Sequence, residues 1–147
     1  MTLTLPENPR FQSDWLADMI VIMGTSGDPA FTVRCERRSG DAALVVVEGE
    51  LDIATAGALQ EALNSADARA PVTVLDLRAV SFIDSSGLSV VVKYHRYAEA
   101  AGTAFAIAVG VESMVRRLLT LSGLSETLEL TGDPDAFIAA NTPLRNG

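Results

Sequence analysis

Val72-Thr73-Val74-Leu75-Asp76-Leu77 is an almost uninterrupted apolar, β-branched run. A strand covered on one face alternates apolar with polar residues, whereas a strand without a polar side is covered on both. Such a strand belongs inside a parallel or mixed sheet with helices laid against it. Ala104 to Val109 has the same character. Two strands of this kind in 147 residues, 48% of them hydrophobic, point to one α/β domain with a substantial core.

The segments around these strands supply the rest of the layer structure. Phe31-Thr32-Val33-Arg34-Cys35-Glu36 alternates and reads as a strand; Ser39-Gly40-Asp41 is a turn, and Leu44 to Val47 a second strand, giving a hairpin. A helix is expected from about Ala54 to Ala68, with Leu59, Ala62, Leu63 and Ala66 inward. After Ser85 the residues point two ways: Val90-Val91-Val92 favours a strand with Asp84-Ser85-Ser86-Gly87 as a hairpin turn, whereas the length of the run to a Gly102 stop favours a helix. A further helix spans Glu112 to Leu121 with Met114, Val115, Leu118 and Leu119 inward. Gly123 suits a left-handed position after that helix, with Leu124 making the accompanying apolar contact. Thr127 to Leu130 reads as a short strand, and Asp133-Pro134-Asp135 as the start of a last helix running to about Ala140. The expected fold is a single domain with a mixed four- to five-stranded sheet and helices packed mainly on one face, spanning 30–141.

Residues 1–29 read as an extension and 142–147 as a tail. Phe11, Trp15, Met19 and Ile22 recur at helical spacing, and Gly24 to Pro29 has linker composition. The stripe suits covering a patch of its own domain, pairing two subunits into a homodimer, or ordering on a partner; the first is favoured. Removal of Met1 to Gly24 is expected to leave a folded domain. Met19 to Met23 is too short for the apolar region of a signal peptide, and no apolar run approaches the roughly 18 residues of a membrane span.

The formal charge of −8 argues against nucleic acid or an anionic membrane as partner and favours proteins. The single cysteine, Cys35, cannot form an intrachain disulfide, which fits a reducing cytoplasm. Its expected role is that of a small apolar strand residue.

Asp84-Ser85-Ser86-Gly87 carries the chemistry. Asp and Ser at a helix start accept the orphan backbone N–H groups, and the same N–H groups with the helix dipole favour a phosphate. Plain capping of the first turn also explains both serines, and on the residues alone it is slightly favoured. Catalysis by Ser85 needs a base, and the only histidine, His95, stands ten residues along the same helix, about 15 Å away. Asp52, Asp76 and Asp84 are explained by caps and strand ends. One His and one Cys make no recognisable metal site, so neither enzyme activity nor a cofactor is expected.

Phe82-Ile83-Asp84-Ser85-Ser86-Gly87-Leu88 resembles the phosphorylation loop of the STAS domain, specifically that of bacterial anti-sigma factor antagonists. Gly49-Glu50-Leu51-Asp52 resembles the family's motif after its second strand. Val115-Arg116-Arg117-Leu118-Leu119 with Ser122-Gly123-Leu124 resembles its third helix and the following turn. The resemblance covers Phe31 to Asn141; Ser89, where the family often has Gly, is a departure. It implies that Ser85 takes a phosphate, with Asp52, Asp84, Ser86, Gly87 and Leu88 shaping the loop and the partner surface. It further implies an anti-sigma factor serine kinase as partner, bound by the unphosphorylated form to release a sigma factor, and a serine phosphatase that reverses the switch. The alternative is a STAS accessory subunit of a transporter or stress-signalling assembly without the switch.

Overall fold

The computed structural model describes residues 31–67 and 70–142. The Phe11–Ile22 stripe, the linker at Gly24–Pro29 and the segment 143–147 lie outside the described residues. The apolar run becomes β3 (Val72–Ile83), the middle strand of a five-stranded sheet. It pairs in parallel with β2 (Ala42–Leu51) on one side and β4 (Ala104–Ala108) on the other. β1 (Thr32–Arg38) lies antiparallel to β2 across the Ser39–Asp41 turn, and β5 (Leu130–Thr131) is parallel to β4. The strand order is β1-β2-β3-β4-β5.

Alternation along β3 explains its composition. Leu75 and Leu77 join Val45, Val47, Phe105 and Ile107 on one face, whereas Val72 and Val74 join Leu44, Val46 and Ala108 on the other. Three helices cover the first face: α1 (Ala56–Asp67) through Leu59 and Leu63, α2 (Ser85–Ala101) through Val91 and Tyr94, and α3 (Met114–Leu121) through Val115 and Leu119. Tyr94 meets Phe105 edge-on, ring centroids 4.8 Å apart. On the second face α4 (Pro134–Asn141) seats Ile138. Asp76, the one acid in the apolar run, is only 5% exposed and accepts from Arg78 Nε at 2.9 Å and Nη2 at 2.8 Å. A carboxylate inside a sheet is tolerated because a bidentate guanidinium satisfies it.

Several elements depart from expectation. β2 is longer than Leu44–Val47, because Glu48 to Leu51 continue pairing with β3 through register shifts. α1 begins at Ala56 rather than Ala54, since Asp52–Thr55 close a turn first. α3 begins at Met114, capped by Ser113, and Met114 points outward at 55% exposure. The last strand is Leu130–Thr131, not Thr127–Leu130; Leu124–Glu126 form a 3-10 turn instead. Gly102 and Gly123 both adopt the left-handed conformation expected of them, at φ 77° and 81°.

Cys35 is half-buried on β1, its Sγ 3.7 Å from the Ala62 carbonyl. Burial pushes the thiol up from its ordinary 9.0 to about 11. The folded state therefore holds its proton where the unfolded state has lost it, and stability contributed by the thiol falls as pH rises from about 9 to about 11. Urea melts of the parent and Cys35→Ala across that window should diverge, the parent losing stability the more steeply.

Candidate functional site

The C-terminal ends of β2 and β3 lie side by side, and the loops that leave them form one site. β3 runs on past its last pairing with β4 at Asp76, staying bonded to β2 as far as Ile83. Asp84 then donates its backbone N–H to the Leu51 carbonyl at 3.1 Å, which ties the two loops together. Its backbone is extended (φ −113°), the conformation of an N-cap residue. Asp84 Oδ1 accepts from Ser86 N at 2.8 Å and Gly87 N at 3.3 Å. This caps α2 through two of the N–H groups of its first turn.

Gly87 faces the sheet with no exposed side chain to show for it. A Cβ there would stand 2.9 Å from Ile83 Cγ1, 3.0 Å from Leu51 Cβ and 3.2 Å from the Leu51 carbonyl oxygen. Only glycine lets α2 approach the β2 end this closely. The buried face of α2 is therefore Gly87, Val90, Val91, Tyr94 and Ala98. Leu88 and Val92, expected in the core beside Val91, are instead half-buried on the flank, displaced because Gly87 occupies the sheet-facing position.

Ser85 is exposed as the first residue of α2, whereas Ser86 is half-buried. Asp52 is half-buried across the junction, its Oδ1 accepting from Ala54 N at 3.0 Å. The structure thus brings Asp52, Asp84, Ser85, Ser86 and Gly87 to one junction. It separates Asp76, which lies eight positions back along β3, about 26 Å at a strand's rise. His95 sits well along α2 with its Nε2 3.5 Å from Glu99, so Ser85 has no imidazole beside it. Among the described residues no cluster of His, Cys, Asp and Glu is arranged to hold a metal ion, and no helix is long and apolar enough to cross a membrane.

Two features of the site escaped sequence reading. Thr55 is fully buried; its hydroxyl accepts from Asp52 N at 2.9 Å and donates to the Glu50 carbonyl at 2.9 Å. The Asp-x-x-Thr spacing after a strand was the available signal. Thr55→Val keeps the shape but orphans both backbone groups, and should cost about 1–3 kcal/mol in a denaturant melt. Ile53 and Phe82 are the other omission: apolar side chains 81% and 41% exposed at the same end of the β2–β3 ribbon. An isoleucine within a turn between Asp52 and Ala54 was the clue to the first.

The junction presents an exposed serine on a capped helix at a strand end, and comparison with known proteins gives the chain's family. The STAS domain model matches residues 35–135, and the chain belongs to the STAS family. It is 34% identical over 107 residues to the anti-sigma-F factor antagonist RsfB of Mycobacterium tuberculosis, covering 71% of this chain and 84% of that one. A crystal structure of an anti-sigma factor antagonist from Mycobacterium paratuberculosis superposes with TM-score 0.67 at 31% identity, covering 80% of this chain and 98% of that one. SpoIIAA in its unphosphorylated form shares the fold, with TM-score 0.62 at 19% identity over 78% of this chain and 100% of that one.

Proposed function

We propose that this domain is an anti-sigma factor antagonist that works in the cytoplasm and is switched by phosphorylation of Ser85. In its unphosphorylated form it binds an anti-sigma factor that is itself a serine kinase, and so frees a sigma factor. The kinase transfers the terminal phosphoryl group of its ATP to Ser85 Oγ, the hydroxyl proton passing to a base of the kinase and ADP leaving. A serine phosphatase hydrolyses the ester and restores the binding form. ATP and its metal belong to the kinase, which is consistent with a site that offers an exposed hydroxyl and no imidazole beside it.

The observation that carries this reading is the exposure of Ser85 on the first turn of α2, held at a junction shared with Asp52, on a chain 34% identical to an anti-sigma-F factor antagonist. Asp52, Asp84, Ser86 and Leu88 form the surrounding contact surface in this reading, and Gly87 sets the angle at which α2 presents it. Incubation with candidate kinases and ATP, followed by mass spectrometry, should find phosphoserine at Ser85. Ser85→Ala should remain bound to the kinase and stay unmodified; phosphate appearing at Ser86 in that variant would overturn the assignment.

A further inference from the structure

We propose that the outer face of α3, with the loop before it, is a docking surface for the anti-sigma factor, fitted to an acidic, partly apolar patch on that partner. The inference rests on the reading of this domain as an anti-sigma factor antagonist, but not on phosphorylation of Ser85. Six large apolar side chains stand exposed among the described residues, and Val111, Met114 and Leu121 gather here. Of the others, Ile53 and Phe82 belong to the Ser85 junction, and Tyr97 on α2 rests its ring against Tyr94. α3 packs Val115, Leu118 and Leu119 against the core, which turns Met114, Arg117 and Leu121 to solvent on one face, with Arg116 at its flank. Arg34, Arg37, Arg38 and Arg78 are ion-paired, whereas among the described residues Arg116 and Arg117 have no carboxylate within bridging distance. Lys93 and Arg96 on α2 are unpaired too, but Leu88 and Val92 beside them are half-buried. Only α3 joins unpaired cations to exposed aliphatic side chains. Met and Arg are the side chains enriched where proteins meet, and an unpaired guanidinium suits a carboxylate across the interface.

The Ser85 junction offers the opposite charge. Asp52 and Asp84 meet there, and Glu50 stands opposite Phe82, on a protein of net charge −8. An acidic partner is therefore repelled at the junction and drawn to α3, which fixes the orientation of its approach. The two places are close enough for one interface. α3 packs against β3, the strand that leads to Ser85. Counted from the paired Asp76 and Ala108, Ser85 lies nine residues on and Val111 three, a difference of at most about 20 Å along neighbouring strands. An interface of standard size covers about 800 Å² of each partner and is roughly 30 Å across. A second copy of this chain fits less well. A two-fold contact that sets Met114 against its mate's Leu121 would bring the two Arg117 side chains together on the axis.

Calorimetry of the full-length protein against the purified anti-sigma factor, without ATP, tests the surface apart from any chemistry at Ser85. Affinity of the parent should fall as salt rises. Arg116→Glu/Arg117→Glu should weaken binding by about tenfold or more and remove most of that salt dependence. Met114→Gln/Leu121→Gln should weaken it by a similar factor and keep the salt dependence, and neither variant should alter the melting curve. Lys93→Glu/Arg96→Glu should change little. Unchanged affinity in either α3 variant overturns the proposal and leaves the Ser85 reading standing, whereas an anti-sigma factor that does not bind the parent overturns both. The proposal also fails if the α2 pair loses as much, which would report net charge alone, or if the loss comes with a lowered melting temperature. Self-association of the parent that the α3 variants abolish would assign the face to a second copy instead.

Discussion

Ser85→Asp is expected to weaken binding to the proposed kinase partner by about a hundredfold or more, with an unchanged melting curve. Phosphate adds a charge of about −1.5 to −2, and Asp imitates part of it. Within the free domain the charge sits at the N-terminus of a 17-residue helix, which favours it by roughly 0.3–1 kcal/mol. The Asp84 carboxylate next door opposes it by a similar order, and none of the described hydrogen bonds uses the Ser85 hydroxyl. The exposed side chain moves freely into water, so the fold hardly registers the change. At an interface the balance differs. Asp84 Oδ1 already takes the Ser86 and Gly87 N–H groups, and its own charge repels a second anion there. An unpaired buried charge costs about 3–5 kcal/mol, which is the predicted loss of affinity. Calorimetry of the parent and Ser85→Asp against the kinase measures it; equal affinities, or a lowered melting temperature, would contradict a local electrostatic switch.

How far the sequence could be read depends on which residues carry a hydrophobic signal. β3 was legible because Val72 to Leu77 has no polar face, and its one acid is satisfied by a neighbour two residues on. α2 was legible only in part: the β-branched Val90-Val91-Val92 favours a strand, the length of the run to Gly102 favours a helix, and the resemblance to the STAS phosphorylation loop decided between them. Its rotation was not legible. The buried series Gly87, Val90, Val91, Tyr94, Ala98 follows helical spacing but starts on a glycine, which carries no apolar weight. Reading from Leu88 instead turns the helix by about 100° and places Leu88 and Val92 inside. Met114 failed differently: α3 is only eight residues long, and it packs Val115, Leu118 and Leu119 against the core on the side away from Met114. Asp52, Asp84 and Ser85 were recognised one by one, but their meeting rests on the Asp84–Leu51 backbone bond, a long-range pairing that local pattern does not reveal.

That bond makes Leu51 the residue where fold and site depend on each other most, and Leu51→Ala should cost about 2–5 kcal/mol. Its side chain is fully buried among the core residues of the helical face. It lies under Gly87, so close that even a methyl group there would stand 3.0 Å from its Cβ. Truncation empties the space below the first turn of α2, and the cavity cannot close easily. Asp84 N holds the loop to the Leu51 carbonyl at 3.1 Å, while Thr55 fixes the following turn from the other side. A collapse would have to break one of these bonds. The loss should therefore be both global and uneven. Urea melts give the total, and hydrogen exchange should show the amides of Asp84, Ser86 and Gly87 accelerating more than those of β4. Gly87→Ala offers the complementary test from above. Its overpacking cost of about 1–3 kcal/mol is offset by up to about 1 kcal/mol from replacing a helical glycine, so it should harm less than Leu51→Ala. A cost below about 1 kcal/mol for Leu51→Ala, or exchange rates rising evenly across the sheet, would mean that α2 is held by Val91 and Tyr94 alone and that the junction at Ser85 is not anchored through the end of β2.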